Sequence, residues 1–285
     1  MSKVAIVTDS TANIPTELIN KYPVFITPLQ VLWDEKSYLD GIDIQPKEFY
    51  ERLSASKSMP STSQVTPVIF QTTYEDLIRK DYDILSIHIS NRLSGTLDSA
   101  IQAKSLFPGA RIELFDSMST AMAMGFQVMS VARAASQGAS LDECIALAKQ
   151  ARNSSGVLFT AATLEFLHRG GRIGGGAKFL GTALNLKPIL EIRDGRIEAV
   201  ERVRNINKAL DRMLEIFEKR INNRTPIRIS TIHANDIENA TSLLEKARAR
   251  FGVSEVSETI ITDVSPVIGT HTGPGTVGIA YMVGM

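Results

Sequence analysis

The stretch KVAIVTDS, residues 3–10, is a run of apolar, largely β-branched residues that ends in a polar turn. Such a run predicts a strand that is buried on both faces, as in parallel sheets covered by helices. DILSIHIS (83–90) and ARIELFDS (110–117) repeat the pattern, and VFITPLQVLW (24–33) is a further extended candidate. Helical spacing lies between these runs, for example after Pro67. The first half, residues 1–155, is therefore predicted to be an α/β domain with a parallel sheet.

The pattern changes after about residue 155. VLFTA (157–161) and RISTIHA (228–234) are predicted strands, and PILEI and RIEAV flank Asp194-Gly195, a strong hairpin signal. Two amphipathic helices follow, centred on residues 206–221 and 237–247, and VGIAYMV is a last apolar strand. Hairpins combined with helices predict a second domain over residues 156–285, an α+β unit with a mixed sheet.

Composition excludes several classes of function. Lys+Arg and Asp+Glu are equal at 31 each, so the chain lacks the large excess of positive charge that would attract a nucleic acid or a membrane surface. The single cysteine, Cys144, allows no internal disulfide, and no pair of the four histidines has zinc-helix spacing, so no metal site is expected. The longest apolar stretch, residues 121–132, is about half a membrane span. We therefore expect a soluble, cytoplasmic protein without stable membrane insertion.

Hydroxyl-rich turns follow three of the predicted parallel strands, at residues 8–11, 90–96 and 116–117. Ligands of open α/β sheets bind outside the carboxyl ends of the strands. Ser94, Gly95 and Thr96 also open a predicted helix, whose free N–H groups favour an anion, and Gly95 would let that anion approach the backbone. Helix capping alone explains any one such turn. Three turns at one sheet edge favour a binding site that could include Ser117.

Methionines line one side of the segment that follows. Met118, Met122 and Met129 share a face at about 100° per residue, and Met124 and Phe126 lie in the same segment. This stripe is more typical of a buried core helix than of a ligand site. The alternative is that Met118, Met122 and Phe126 form the walls of an apolar cavity, because methionine adapts to variable apolar ligands.

Two motifs raise enzymatic or nucleotide-binding alternatives. GGRIGGGAK (170–178) lacks the Gly-Lys-Ser/Thr of a phosphate loop, and Phe179 stands where the dinucleotide fingerprint needs glycine, which counts against a nucleotide-binding protein. His271 opens HTGPGTVGI (271–279) and could be a core residue, an anion donor or a general base. A hydrolase or acyl-transfer enzyme could pair His271 with Ser94 or Ser117, although the G-x-S-x-G elbow is missing.

An ordered set of motifs resembles the DegV family of fatty-acid-binding proteins, called FakB in kinase systems. The motifs are VTDSTANIP (7–15), PSTSQVTP (60–67), LSGTLDSA (93–100), LEFLHRGGRI (164–173), KPIL (187–190), RVRN (202–205) and HTGPGTVGI (271–279). Any one of them is a weak signal, but together and in order they cover nearly the whole chain. The resemblance implies a two-domain fold whose first domain is Rossmann-like.

The resemblance also implies a function. One long-chain fatty acid would be the ligand, buried between the domains, with no cofactor and no catalytic residue. An ATP-dependent fatty acid kinase would be the partner, which converts the bound acid to an acyl phosphate. By motif position, Thr62, Ser94 and His271 would be the carboxylate partners. We expect Gly95 and Thr272 in the same carboxylate site, with Ser61, Thr96 and Ser117 as further polar contacts. Arg172 and Arg204 would take part in kinase docking.

Overall fold

The computed structural model describes residues 3–179, 186–252 and 254–285. The strands are β1 Lys3–Asp9, β2 Val24–Thr27, β3 Gln30–Trp33, β4 Lys36–Leu39, β5 Ser61–Ser63, β6 Tyr82–His88, β7 Ile112–Asp116, β8 Ser155–Thr160, β9 Lys187–Arg193, β10 Arg196–Val203, β11 Ile227–His233, β12 Val256–Asp263 and β13 Val277–Val283. The helices are α1 Thr16–Ile19, α2 Pro46–Ala55, α3 Pro67–Ile78, α4 Thr96–Lys104, α5 Ala121–Ser136, α6 Leu141–Ser154, α7 Glu165–Arg169, α8 Ile206–Ile221, α9 Ile237–Arg250 and α10 Pro266–Thr272.

A four-stranded parallel sheet in the order β2-β1-β6-β7 confirms the prediction for the first half. β1 and β6 are buried along almost their whole length, because helices cover both faces of the sheet. The predicted extended segment at residues 24–33 is divided at Pro28, which has no N–H to continue a ladder. Its first part joins the parallel sheet as β2, and its second part leaves it as β3.

The second sheet is mixed and has the order β10-β9-β8-β13-β11-β12. β11 and β12 run parallel, and the other neighbours run antiparallel. Asp194 and Gly195 both have positive φ, at 50° and 75°, as a two-residue type I′ hairpin requires. The predicted hairpin and the predicted mixed sheet are therefore confirmed.

A small antiparallel sheet in the order β4-β3-β5 lies outside the sequence prediction. Residues 60–64, predicted to be a loop, include the short strand β5, in which Thr62 pairs with Val31 of β3. Ser61–Ser63 has no apolar alternation, so nothing local marks it as a strand. It is extended because β3 offers a free edge, and this pairing sets the position of Thr62.

Helix α5 lies between the two large sheets and contacts β1 on one side and β8 and β13 on the other. Its residues 121–132 are all buried, which accounts for the longest apolar stretch of the sequence. Within the described residues, no helix is long and apolar enough to cross a membrane. The main cluster of buried apolar side chains includes residues from both halves of the chain. The division into domains at residue 155 stays a prediction.

Close packing of α5 depends on Gly125. A Cβ at this position would lie 2.7 Å from the carbonyl oxygen of Ala12 and 2.8 Å from Sδ of Met122. The turn at Ser10–Ala12 can therefore approach the helix only because position 125 has no side chain.

We predict that Gly125→Ala lowers the free energy of unfolding by about 1–3 kcal/mol through overpacking. Glycine to alanine in a helix interior ordinarily stabilises by roughly 0.5–1 kcal/mol, so the expected sign is reversed. Urea unfolding measures the change. Gly109→Ala is the control, since a Cβ there meets no atom within 4 Å. A Gly125→Ala protein as stable as the parent would contradict this account of the packing.

Candidate functional site

A cavity of about 210 Å³ lies at the carboxyl edge of the parallel sheet, where it faces the six-stranded sheet. Most of its walls are apolar and come from both halves of the chain: Leu29, Ile89, Leu93, Ala121, Val157, Phe159, Leu167, Ile192, Ile197, Ile232, Val264, Val267 and Ile268. Its polar lining comprises Thr62, Ser63, Gln64, Ser94, Thr120, Arg172, His271, Thr272 and Thr276. The cavity therefore lies at the sheet edge that the sequence predicted.

Thr62 and His271 meet at the polar end of the cavity. Oγ1 of Thr62 lies 2.8 Å from Nε2 of His271, a hydrogen bond across 209 positions of sequence. The strand β5 positions Thr62, and the short helix α10, which begins at Pro266, carries His271. The structure thus brings together two residues that family resemblance assigned to one site.

The second ring nitrogen of His271 has no hydrogen-bond partner in the described part of the chain, although Nδ1 is buried. A Cβ at Gly170 would lie 2.1 Å from this nitrogen, so the backbone at Gly170 closes over the ring. Burial, and secondarily the guanidinium of Arg172, lower the pKa of His271 to about 4. The imidazole is therefore neutral at pH 7 and has one N–H to donate.

Ser94 and Gly95 line the cavity at the start of α4. Oγ of Ser94 lies 2.9 Å from Oγ1 of Thr96 and accepts from the Thr96 N–H at 3.3 Å. Thr96 is fully buried and does not line the cavity. A Cβ at Gly95 would lie 2.2 Å from Oε1 of Gln64, so the missing side chain makes room for Gln64, a cavity residue that the sequence analysis missed.

Of the remaining predicted polar residues, one lines the cavity and two lie outside it. Thr272 lines the cavity, and its hydroxyl donates to the carbonyl of Ile268 at 3.3 Å. Ser61 lies just outside, in a second cavity. Ser117 is buried away from both cavities, and its hydroxyl donates to the carbonyl of Ser119 at 3.1 Å.

Met118, Met122 and Phe126 are not among the cavity's lining residues. Met122 and Phe126 are fully buried in α5, and Met118 precedes the helix with a positive φ of 50°. Because residues 121–132 of α5 are all buried, Met122, Met129 and Phe126 pack as core. Only Ala121, at the start of the helix, reaches the cavity.

Arg172 is half-buried at the end of the cavity. Its Nη1 donates to the carbonyl of Gly170 at 2.7 Å, and its Nε donates to the carbonyl of Leu93 at 3.1 Å. The side chain is therefore held by backbone groups of both halves of the chain. Arg204, in contrast, is exposed between β10 and α8 and lines neither cavity.

A second cavity, of about 300 Å³, shares Thr62, Arg172 and His271 with the first. The rest of its lining includes polar groups and a second arginine, together with apolar side chains: Met59, Pro60, Ser61, Phe166, Arg169, Gly170 and Thr270. The Thr62–His271 pair therefore has the apolar cavity on one side and a more polar, arginine-containing cavity on the other.

A serine–histidine–aspartate arrangement exists elsewhere in the fold. Asp9 Oδ2 lies 3.1 Å from His88 Nδ1, His88 Nε2 lies 2.6 Å from Ser86 Oγ, and that hydroxyl lies 2.8 Å from Tyr74 OH. All four side chains have zero exposure, and none lines either cavity. The network joins the ends of β1 and β6 and has no route to a substrate.

The glycine-rich segment 170–178 continues from the end of α7 into a 3-10 turn, Gly174–Phe179. A phosphate loop requires a strand before it and a helix after it, and a helix precedes this segment. Among the described residues, no group of three or more His, Cys, Asp or Glu side chains could hold a metal ion.

Together, the fold and the site define an α/β protein with two large sheets and an internal apolar cavity that ends in polar groups. The sequence matches the family model described as an uncharacterised protein of the DegV family over residues 3–283. A DegV domain-containing protein of Halalkalibacterium halodurans is 33% identical over 284 residues, 99% of each chain. Protein DegV of Bacillus subtilis is 34% identical over 280 residues, 98% of each chain. The chain belongs to the DegV family.

Solved structures give the same fold. A DegV family protein from Thermus thermophilus, described by its fatty acid binding, superposes with a TM-score of 0.93 at 35% identity over 99% of each chain. DegV of Bacillus subtilis, described as a fatty acid binding protein, gives 0.89 at 32% identity over 99% of this chain and 100% of that one. A stearic acid-binding protein from Eubacterium ventriosum gives 0.91 at 27% identity over 100% of this chain and 99% of that one.

The lowered pKa of His271 predicts a pH-dependent stability. Its folded value of about 4 lies below the ordinary 6.5, so the unfolded chain takes up a proton first as the pH falls. The contribution of neutral His271 to the free energy of unfolding is complete above pH 6.5. It is lost as the pH falls towards 4, by at most about 3 kcal/mol. His271→Gln should remove this loss, as urea unfolding at pH 7.5 and 4.5 would measure.

The change in stability with pH must be compared between the parent and the variant, because the ionisation of Asp40 changes stability in the opposite direction. Burial raises the pKa of Asp40 to about 6, so its contribution is present below pH 3.8 and is lost as the pH rises through 6. This effect is common to both proteins and cancels in the difference. An equal loss of stability in parent and variant between pH 7.5 and 4.5 would contradict the assignment to His271.

Proposed function

We propose that this protein binds one long-chain fatty acid, with its acyl chain in the apolar cavity and its carboxylate beside Thr62 and His271. The observation that carries the proposal is the distribution of polarity in the cavity: apolar walls from both sheets and a hydroxyl–imidazole pair at one end. Family members of the same fold from Thermus thermophilus and Bacillus subtilis are described as fatty acid binding, which supports this ligand class.

The energetics assign different roles to the two ends of the ligand. Each buried CH₂ contributes about 0.8 kcal/mol, so a long chain supplies most of the affinity. A buried carboxylate is costly unless several donors hydrogen-bond to it. While Thr62 and neutral His271 are hydrogen-bonded to each other, one of their two donors is used within the pair and the other is left for the carboxylate. The hydroxyl of Ser94 can also donate, and the guanidinium of Arg172 supplies positive charge nearby. The polar end therefore sets the orientation of the ligand.

We further propose that the protein is a non-catalytic carrier that presents the carboxylate to an ATP-dependent fatty acid kinase. The second cavity supports this proposal, because it shares Thr62, Arg172 and His271 with the first and would give a partner access to the head group. The absence of a carboxylate partner for His271 Nδ1 in the described residues supports a binding role over a catalytic triad.

The ligand is tested most simply by what accompanies the purified protein. Denaturing extraction followed by mass spectrometry should recover fatty acid at near one equivalent, or one equivalent after incubation of the delipidated protein with palmitic acid. A protein that carries no fatty acid and takes up none would overturn the proposal. Hydrolysis of ester substrates that is abolished by His271→Ala would favour the enzymatic alternative.

We predict that Thr62→Val weakens fatty acid binding by about 1–3 kcal/mol, since one hydrogen bond to a charged group is lost while the shape of the side chain is kept. Calorimetric titration of the delipidated protein measures the change. The matched control is Thr66→Val, because Thr66 lies in the same segment, lines neither cavity and makes no capping bond. Equal affinities for Thr62→Val and the parent would move the carboxylate elsewhere.

Arg204 separates kinase docking from fatty acid binding better than Arg172, because Arg172 lines both cavities and Arg204 lines neither. Arg204→Ala should leave fatty acid affinity unchanged and lower the rate of acyl phosphate formation by a fatty acid kinase. Lys80→Ala is the charge control, since Lys80 lies at the amino end of β6, away from the cavity edge. An unchanged rate for Arg204→Ala would remove Arg204 from the docking surface.

A further inference from the structure

Asp40 is a buried carboxylate that touches neither cavity. It is 2% exposed and directly follows β4. Its Oδ2 accepts a hydrogen bond from the hydroxyl of Ser10 at 2.6 Å, and its Oδ1 accepts one from the N–H of Val267 at 3.2 Å. Val267 is the second residue of α10, so this carboxylate bonds to the start of the helix that carries His271.

Backbone hydrogen bonds connect Asp40 to Thr62 on the other side. The residue before it, Leu39, pairs with Gln30 of β3, and the next residue of β3, Val31, pairs with Thr62 of β5. The N–H of Asp40 itself donates to the carbonyl of Leu29 at 2.9 Å. Asp40 therefore directly adjoins the small sheet that contains Thr62, and its side chain joins that sheet to α10.

Joining two elements through a buried carboxylate costs free energy, because desolvation disfavours the charged form of the group. Burial raises the pKa of Asp40 to about 6, and the bonds from Ser10 and Val267 offset part of that effect. The group is charged at neutral pH, and charged acceptors form stronger hydrogen bonds than neutral ones. The charge thus strengthens the hydrogen bond to α10 at neutral pH, although its burial lowers the stability of the folded state.

Tyr50 of α2 forms a second connection in the same region. Its hydroxyl donates to the carbonyl of Val264 at 2.9 Å, just before α10. A Cβ at Gly269 would lie 2.3 Å from the Tyr50 hydroxyl oxygen, so the helix backbone lies directly against the ring. Tyr50 therefore holds α10 against α2, while Asp40 holds its first turn against the small sheet.

We propose that Asp40 is a positioning residue for the head-group site: by binding the first turn of α10, it sets the spacing between His271 and Thr62. His271 is one helical turn beyond Val267, so a displacement of the first turn is transmitted to the imidazole. The inference rests on the proposed function, because Thr62 and His271 are there the partners of the ligand carboxylate.

The test compares Asp40→Asn with the parent as a function of pH. The amide has the size of the carboxyl group but cannot be charged, so it imitates protonated Asp40. The affinity of delipidated protein for palmitic acid should be about tenfold weaker in Asp40→Asn at pH 7.5, the value of one charge-assisted hydrogen bond. The difference should shrink towards none at pH 5, where the parent's own Asp40 is largely protonated.

The other ionisable groups near Asp40 are present in both proteins, so a pH dependence of their own is common to the parent and the variant. They are Asp9 at the end of β1 with its partner His88, Tyr50, Asp263 at the end of β12, and His271. Ionisation of palmitic acid is common to both measurements in the same way. A ratio that stays constant from pH 5 to 7.5 would overturn the proposal, because a merely structural loss has no reason to follow the charge on Asp40.

Asp43→Asn is the matched control. Asp43 is exposed in the same loop, and its Oδ2 accepts from the N–H of Leu39 at 2.8 Å without contacting α10. Its affinity should equal that of the parent at every pH. If Asp43→Asn reproduces the Asp40→Asn profile, the effect belongs to the charge of the loop, and the positioning role of Asp40 is wrong.

Two further readouts decide the matter if Asp40→Asn does not fold or if no fatty acid binds. Ser10→Ala removes one donor to the carboxylate and should weaken binding in the same direction, and unchanged binding would count against the proposal. The ring proton signals of His271 in the ligand-free parent should shift with a midpoint near pH 6. If the wild-type protein binds no fatty acid but its His271 signals show this shift, the proposed function is wrong and the positioning role stands. If the His271 signals do not change with pH, the positioning role is wrong.

Discussion

The hydrogen bond between Thr62 and His271 is the contact on which the site depends, because it joins two elements that have no reason of their own to be close. Thr62 lies on a three-residue strand that exists only through its pairing with β3. His271 lies near the end of a helix of seven residues, too short to be stable by itself. Each is held by the surrounding structure, and together they place a neutral hydroxyl–imidazole pair at the end of an apolar cavity.

This arrangement requires that the two large sheets face each other with the buried helix α5 between them. The helix fills most of the space between the two sheets with methionine, alanine and valine side chains. The cavity begins beside Ala121, the first residue of the helix. The cavity is thus the part of the interface between the sheets that α5 does not fill. Its walls are apolar for the same reason that the core is apolar, and only the end near α10 contains groups suited to a charge.

Local patterns in the sequence were sufficient for the strands of the parallel sheet and for the Asp194-Gly195 hairpin, which the structure confirms. The apolar pattern of each strand and the turn of the hairpin depend on residues that are neighbours in sequence. The location of the cavity at the carboxyl edge of the parallel sheet could also be predicted, because parallel strands bring their carboxyl ends together. The strand β5 could not, since its residues show no alternation and its partner β3 is about 30 positions away.

The methionine stripe illustrates a second limit of prediction from sequence. Helical spacing predicted correctly that Met122 and Met129 of α5 are buried, whereas Met118 lies before the helix. Spacing does not reveal whether a core or a ligand covers such residues. Asp40 illustrates a third limit, because an acidic residue before Gly41 looks like an ordinary turn residue until its contact with Val267 is known. The pairing of Thr62 with His271 rested on family resemblance alone, because no property of either segment indicates the other.

The central claim is that the carboxylate of a single fatty acid lies at the polar end of the cavity, beside Thr62 and His271. Its most direct test is carbon-13 NMR of palmitic acid labelled at the carboxyl carbon and titrated into the delipidated protein. The account predicts one narrow bound signal that saturates at one equivalent and shifts when Thr62 or His271 is substituted. A signal that keeps the titration behaviour of the free acid, or one that the two substitutions do not alter, would contradict it.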